Sequence, residues 1–297
     1  MNKNDILKNI LKPTRYTLMG KATLVETKSG NYVIKDCPNN DLVSLFNYLK
    51  SRSFPNIPNI YSQDRDNIIY EYIENNGVIN PQKDLDLINL VALLHAKTSY
   101  NKTVSKDVYQ EIYENILNNI MYLKDHYLTY YESFLHEEFM RPSHYLLVRN
   151  YSKIKNALAF CENELNNWYD LVMNNDTVRL SLIHNNLRLD HFIKSDIDYL
   201  VSWDNAKFDT PIIDLFTLYQ NEYQNLEFAT MYKNYLQINN LSETEQKLFF
   251  VLISLVPKIE FESDEFTNCQ IIHQKLTLIY KTENFLKPYY ATDTNTE

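Results

Sequence analysis

Residues 181–192 read Ser-Leu-Ile-His-Asn-Asn-Leu-Arg-Leu-Asp-His-Phe, and residues 199–204 read Tyr-Leu-Val-Ser-Trp-Asp. Two apolar runs, one ending in His184 and one closing on Trp203-Asp204, flank a polar loop that carries Asn185, Asn186, Asp190 and His191. Together they make an island of β-like sequence, from Leu180 to Trp203, among segments with helical periodicity. Pro211-Ile-Ile-Asp214-Leu215 follows shortly after.

Upstream, Ala22–Thr27 and Asn31–Lys35 are two β-rich runs separated by Lys28-Ser-Gly30. Gly30-Asn31 predicts a hairpin turn and antiparallel pairing. Cys37-Pro-Asn-Asn-Asp41 then opens a helix with Leu42, Leu45, Phe46 and Leu49 on one stripe. After a break at Ser53–Pro58, Ile60-Tyr61 and Ile68–Ile73 read as further strands. Beyond Gly77 the pattern is helical: Leu85–Lys97 ending in Leu94-His95, Val108–His126, Leu128–Met140, Tyr151–Met173, Lys247–Val256 and Cys269–Tyr280. Ser242 and Glu245 form a capping box before the fifth of these. A polar tail, Ala291–Glu297, closes the sequence.

The expected organisation is α+β. A β-rich N-lobe spans 1–76 with a hinge near 70–76, and a helical C-lobe spans 77–297 with a β-hairpin inserted near 190–204. This is the bilobal plan of protein kinases.

Composition removes several alternatives. Among 297 residues only Gly20, Gly30 and Gly77 are glycine. Dinucleotide fingerprints and Walker loops need clustered glycines so that backbone can approach phosphate, so both are excluded. The longest apolar run, Leu248–Val256, is too short to span a bilayer. The start, Met1-Asn-Lys-Asn-Asp-Ile, lacks the apolar segment of a secretory leader, and three widely spaced cysteines suit a reducing compartment. A cytoplasmic location is therefore expected. A net charge of −9 argues against a nucleic-acid partner. The 24 tyrosines, beside abundant Asn, Lys and Ile, agree with AT-rich codon usage.

Taken in order, Ile34-Lys35, Leu94-His95, His184 to His191, Val201-Ser-Trp203-Asp204 and Pro211 to Leu215 resemble the motif series of the aminoglycoside phosphotransferase and choline kinase-like superfamily. Within it the similarity is to the bacterial spore-coat kinase-like branch. The resemblance implies ATP and Mg²⁺ as cofactors. It assigns Lys35 to the nucleotide phosphates and makes Asp41, in the first helix, the acidic candidate to pair with that lysine. Tyr70 and Tyr72 fall in the adenine-side hinge. Asp204 falls at the Mg²⁺ ligand, His184 and Asp214 at positions that brace the loop, and His191 at the second metal ligand.

The departures fall in the loop. The position of the catalytic aspartate is Asn186, whose amide cannot accept a substrate proton. His191 stands where an asparagine oxygen is usual, and Asn185 where relatives carry glycine. Asp190 is the substitute carboxylate within reach in sequence. Two functions follow. One is a pseudokinase or very weak kinase that binds or scaffolds a protein partner, a spore-coat component included. The alternative is an active ATP-dependent phosphotransferase acting on a small hydroxylated or cationic metabolite.

Overall fold

The computed structural model describes residues 12–20, 22–36, 41–63, 67–77 and 82–290. The N-terminal stretch, the 37–40 segment with Cys37 and the polar tail lie outside these. Contacts divide the chain into two compact units, residues 1–99 with 181–209, and residues 100–180 with 210–297.

In the first unit, alternating apolar residues build an antiparallel five-stranded sheet. Its strands are β1 (Arg15–Met19), β2 (Ala22–Thr27), β3 (Gly30–Asp36), β4 (Ile60–Gln63) and β5 (Asn67–Glu71), in the order β1-β2-β3-β5-β4. Val25, Ile34 and Ile69 are buried together on one face. Register pairs Val33 with Tyr70 and Lys35 with Ile68, so Lys35 shares the opposite face with Tyr70, because side chains alternate along a strand. Thr27 pairs with Gly30, leaving Lys28 and Ser29 in the turn. The hairpin turn expected at Gly30-Asn31 therefore forms two residues earlier, at Lys28-Ser29. The Thr27 hydroxyl closes it, donating to the Gly30 carbonyl at 2.7 Å and accepting from the Ser29 amide at 3.1 Å.

Asp41 caps α1 (Leu42–Ser51), whose buried stripe is Leu42, Phe46 and Leu49. Helix α2 (Gln82–Thr98) is apolar on most of its circumference and correspondingly buried, Leu87, Val91, Leu94 and His95 being fully enclosed. Its last turn is fastened to the segment that begins at Ser181. The Thr98 hydroxyl donates to the Leu94 carbonyl at 2.8 Å and accepts from the Leu182 amide at 3.1 Å, and the Ser99 and Ser181 hydroxyls lie 2.7 Å apart.

Strand β7 (Thr177–Ile183) passes from one unit to the other. In the first, Ser181–Ile183 pair with β10 (Lys207–Asp209); in the second, Thr177–Leu180 pair with β6 (Tyr100–Thr103). Strands β8 (Phe192–Lys194) and β9 (Asp198–Leu200) form an antiparallel hairpin, which belongs to the first unit. Asn56 holds it, accepting from the Leu200 amide at 3.0 Å and donating to the Asp198 carbonyl at 2.8 Å.

The second unit is mainly helical: α3 (Lys106–Leu135), α4 (Pro142–Val172), α5 (Ile212–Glu222), α6 (Phe228–Ile238), α7 (Glu243–Ser254) and α8 (Glu265–Tyr290). Helix α3 crosses the division expected between His126 and Leu128. No Gly or Pro interrupts it there, and Tyr127 is fully buried with its hydroxyl donating to the Pro257 carbonyl at 2.5 Å. The Ser242–Glu245 capping box is formed as expected. Leu123, Tyr127, Ile154, Leu158 and Ile272 form one core cluster; Ile120, Leu165, Trp168 and Val251 form another.

Candidate functional site

The first unit brings together two side chains 169 positions apart: the Lys35 ammonium, on β3, forms an ion pair with the Asp204 carboxylate. Their side chains are 17% and 26% exposed, sheltered yet reachable.

Asp204 is presented by a single 3₁₀ turn, Trp203–Asn205. Ser202, immediately before it, takes the left-handed conformation at φ +70°, which costs an L-residue roughly 1–2 kcal/mol. Trp203 fixes the turn from below. It is 1% exposed, its indole N–H donates to the Leu200 carbonyl at 2.7 Å, and its ring is packed by Phe46, Phe54 and His184. Phe46 also meets Tyr70 at 6.2 Å, so the sheet, α1 and the Asp204 turn share one aromatic core.

The loop between β7 and β8 is sewn to the same segment. His184 is fully buried and donates from Nε2 to the Val201 carbonyl at 2.8 Å, which fixes its tautomer. Asn185 takes φ +56° and donates from its side chain to the Asn205 carbonyl at 3.2 Å. The left-handed geometry that glycine would supply is kept here by asparagine, the residue other than glycine that adopts it most readily. His191 donates from Nδ1 to the backbone carbonyl of Asn186 at 2.6 Å, and its own carbonyl accepts from the Val201 amide at 3.0 Å. Asn186 itself is half-buried.

The remaining expected site residues are placed as follows. The Asp41 carboxylate accepts from the Ser44 amide at 3.0 Å and the Ser44 hydroxyl at 2.5 Å, bonds that hold it below the usual carboxylate range. It terminates α1, while the carboxylate on Lys35 is Asp204. Asp190 projects to solvent, 72% exposed, with Arg188 Nε 3.7 Å away. The Tyr70 ring turns inward to Phe46. Tyr72 donates its amide to the Asn31 carbonyl at 2.9 Å and helps line a 450 Å³ recess with Tyr32, Tyr61 and Glu71. Asp214 belongs to the second unit, fully buried in the first turn of α5.

Among the described residues no three His, Cys, Asp or Glu side chains gather into a self-sufficient metal site. Lys35 and Asp204 supply instead one cation and one hard oxygen donor. That pairing fits Mg²⁺ carried by a nucleotide, since this ion takes one or two carboxylates and completes its shell with phosphate and water.

No protein-family model matches the sequence, and no curated protein matches it. Solved structures are similar in fold. An aminoglycoside phosphotransferase from Alicyclobacillus acidocaldarius superposes with TM-score 0.72 at 9% identity, over 97% of this chain and 95% of the other. A spectinomycin phosphotransferase in its AMP-bound complex gives 0.53 at 12% identity, over 98% of both chains. A glucosamine kinase gives 0.51 at 10% identity, over 96% of this chain and 78% of the other. At such identities the likeness establishes the fold: α+β, with a β-rich N-terminal region and a mainly helical C-terminal region, the bilobal kinase-like class.

Proposed function

We propose that this protein is an ATP-dependent phosphotransferase acting on a small hydroxylated or cationic metabolite. The observation that carries the reading is the Lys35–Asp204 ion pair, joining a cation near the end of β3 to a turn-held carboxylate 169 positions away in the sequence. Bound ATP would supply the phosphoryl group, and Mg²⁺ would neutralise its oxygens. Lys35 would bind phosphate, Asp204 would hold the metal, and the loop from His184 to His191 would orient the acceptor. Phosphoryl transfer is catalysed mainly by positioning and charge neutralisation, with little covalent work for the protein. Asn186 can therefore orient a hydroxyl by hydrogen bonding while contributing no base catalysis, a loss of about 10²–10⁴-fold. A slow enzyme is expected. Tyr70 and Tyr72 are the hinge-side residues in this reading, and Asp214 a structural brace.

The experiment is conversion of ATP to ADP with a panel of amino- and hydroxyl-bearing acceptors. Acceptor-dependent turnover that Asp204→Ala abolishes supports the proposal. Turnover indifferent to Asp204→Ala overturns it.

A second reading, a pseudokinase with a binding or scaffold role, is favoured by one feature: an amide at the base position beside an Asp190 carboxylate that faces solvent. ATP binding without turnover by any acceptor would select it. Kinship with the spore-coat branch, and a role with a spore-coat partner, rests on the five motifs in their order.

A further inference from the structure

The face of the five-stranded sheet turned away from Lys35 carries a group of side chains that the phosphotransferase reading does not use. Tyr32 lies three positions before Lys35 on β3, so its ring stands on the opposite face, against Val25, Ile34 and Ile69. Glu71 pairs with Tyr32 in the register of β3 with β5 and shares that face. The third member arrives through an irregularity. On the edge strand β4, Ile60 pairs with Tyr70 and Ser62 with Ile69, so Tyr61 is the extra residue of a bulge. Bulges re-aim side chains. Here the Tyr61 ring, 57% exposed, comes to 5.0 Å from the Tyr32 ring at an angle of 57°. Asn59, Tyr72 and Glu74 complete an open recess around these three. Its lining carries two carboxylates and, among the described residues, no Lys or Arg.

We infer that this recess binds a compact N-alkylated ammonium head group, the two tilted rings facing the cation and Glu71 supplying its counter-charge. Aromatic faces attract cations, and walls of this kind are the usual recognition device for quaternary ammonium. Two details separate that cation from a guanidinium, a planar group that stacks flat on a ring and forks onto both oxygens of a carboxylate. Rings inclined at 57° make a corner instead of a flat slot. Asn59 Nδ2 already donates to Glu71 Oε2 at 3.1 Å, which occupies one side of the fork. The other oxygen suffices for a charge that donates no hydrogen bond. Because the recess opens to solvent, it selects the head group and sets no limit on what the head group is attached to. It stands on the sheet face opposite Lys35, so the inference goes beyond the phosphotransferase reading and does not depend on it.

The test is a proton NMR titration of tetramethylammonium with the full-length protein. The comparison probes are tert-butanol, neutral and of similar size, and methylguanidinium, a planar cation. Tetramethylammonium should bind with a dissociation constant on the order of millimolar, its methyl signal moving upfield under the ring currents of the two tyrosines. Tyr61→Ala should weaken binding by about two- to fivefold, the worth of one exposed cation–π contact. Glu71→Gln keeps an acceptor for Asn59 and removes the charge, and should cost a similar factor and lessen the dependence on salt. Both positions are exposed, so both variants should fold normally. Asp204→Ala should leave the affinity unchanged. The inference is overturned if tetramethylammonium fails to bind at about 50 millimolar, or if either comparison probe binds as tightly. It is equally overturned if Tyr61→Ala or Glu71→Gln binds like the wild-type protein, or if Asp204→Ala abolishes binding.

Discussion

Replacing Lys35 by methionine keeps the length of the side chain and removes its charge, leaving the Asp204 carboxylate three-quarters buried without its counter-ion. The cost can be bracketed. Exposed ion pairs are worth about 0–1 kcal/mol, whereas removing one partner of a fully buried pair costs about 3–5 kcal/mol. With side chains 17% and 26% exposed, this pair lies between, at about 1–2 kcal/mol for either single variant. Asp204→Asn gives the converse orphan, an unpaired Lys35 ammonium. The double variant Lys35→Met/Asp204→Asn leaves neither charge behind. Its loss should therefore be no larger than that of the worse single, an interaction energy of about 1 kcal/mol or more. Urea titrations of the four proteins would measure this, read by circular dichroism and by tryptophan fluorescence, to which Trp203 beside Asp204 contributes together with Trp168 of the second unit. Strict additivity of the two substitutions, or no loss from either, would refute the claim that the two side chains act as a pair.

Three other perturbations address different parts of the molecule. Asn186→Asp should raise turnover with any productive acceptor by about 10²–10⁴-fold, the usual contribution of a general base; steady-state ADP release measures it, and an unchanged rate would remove Asn186 from the base position. Glu245 receives the Arg179 guanidinium as a two-point fork, both contacts at 2.8 Å, and accepts from the Ser242 amide at 2.8 Å. Glu245→Ala should therefore cost about 2–4 kcal/mol in urea unfolding, from a lost cap together with charge-assisted bonds. Burial pushes the Tyr219 phenol up to about 12, and raises those of Tyr127, Tyr232 and Tyr235 as well. A phenol whose folded pKa exceeds its unfolded value near 10 contributes stability that is complete below pH 10 and lost as pH rises toward and through 12. Tyrosinate absorbance should show these residues ionising together with unfolding, and smooth titration of all 24 tyrosines in a folded chain would contradict it.

Much of the fold was legible because the residues that make it obey their periods. Alternation gave β2, β3 and β5, and the helical stripe of α1 emerged with Leu42, Phe46 and Leu49 buried. What escaped had no such signal. All five residues of β1 are exposed, as are all four of β6, so neither strand buries a face; Tyr16 and Leu18 alternate along β1, but Tyr100-Asn-Lys-Thr103 of β6 carries no apolar alternation. The hairpin turn was displaced because a glycine-asparagine pair is a stronger local cue than a threonine hydroxyl, yet Thr27 closes the turn. The site was legible as a list of residues and not as an arrangement. Spacing alone cannot bring Lys35 to Asp204 across 169 positions; only the order of motifs suggested it. Asp41 drew notice as the acidic residue nearest the first helix, and a residue in that place is equally suited to capping it, which is its role here. Glycine scarcity gave an incomplete guide to backbone shape. Asn185 and Ser202 take the left-handed conformation without it, so the loop and the Asp204 turn keep a geometry that the composition seemed to deny.

That geometry bears on the central claim, that Lys35 and Asp204 form a site for ATP with Mg²⁺. Thermal unfolding with and without ATP and Mg²⁺, in the wild-type protein and in Asp204→Ala, tests it most directly. A ligand at a hundred times its dissociation constant stabilises the folded state by about 2.7 kcal/mol, a shift of several degrees in a chain of this size. The account predicts that shift in the wild-type protein, its dependence on Mg²⁺, and its loss in Asp204→Ala. An unshifted wild-type protein at millimolar ATP, or a shift that persists in Asp204→Ala, would contradict it.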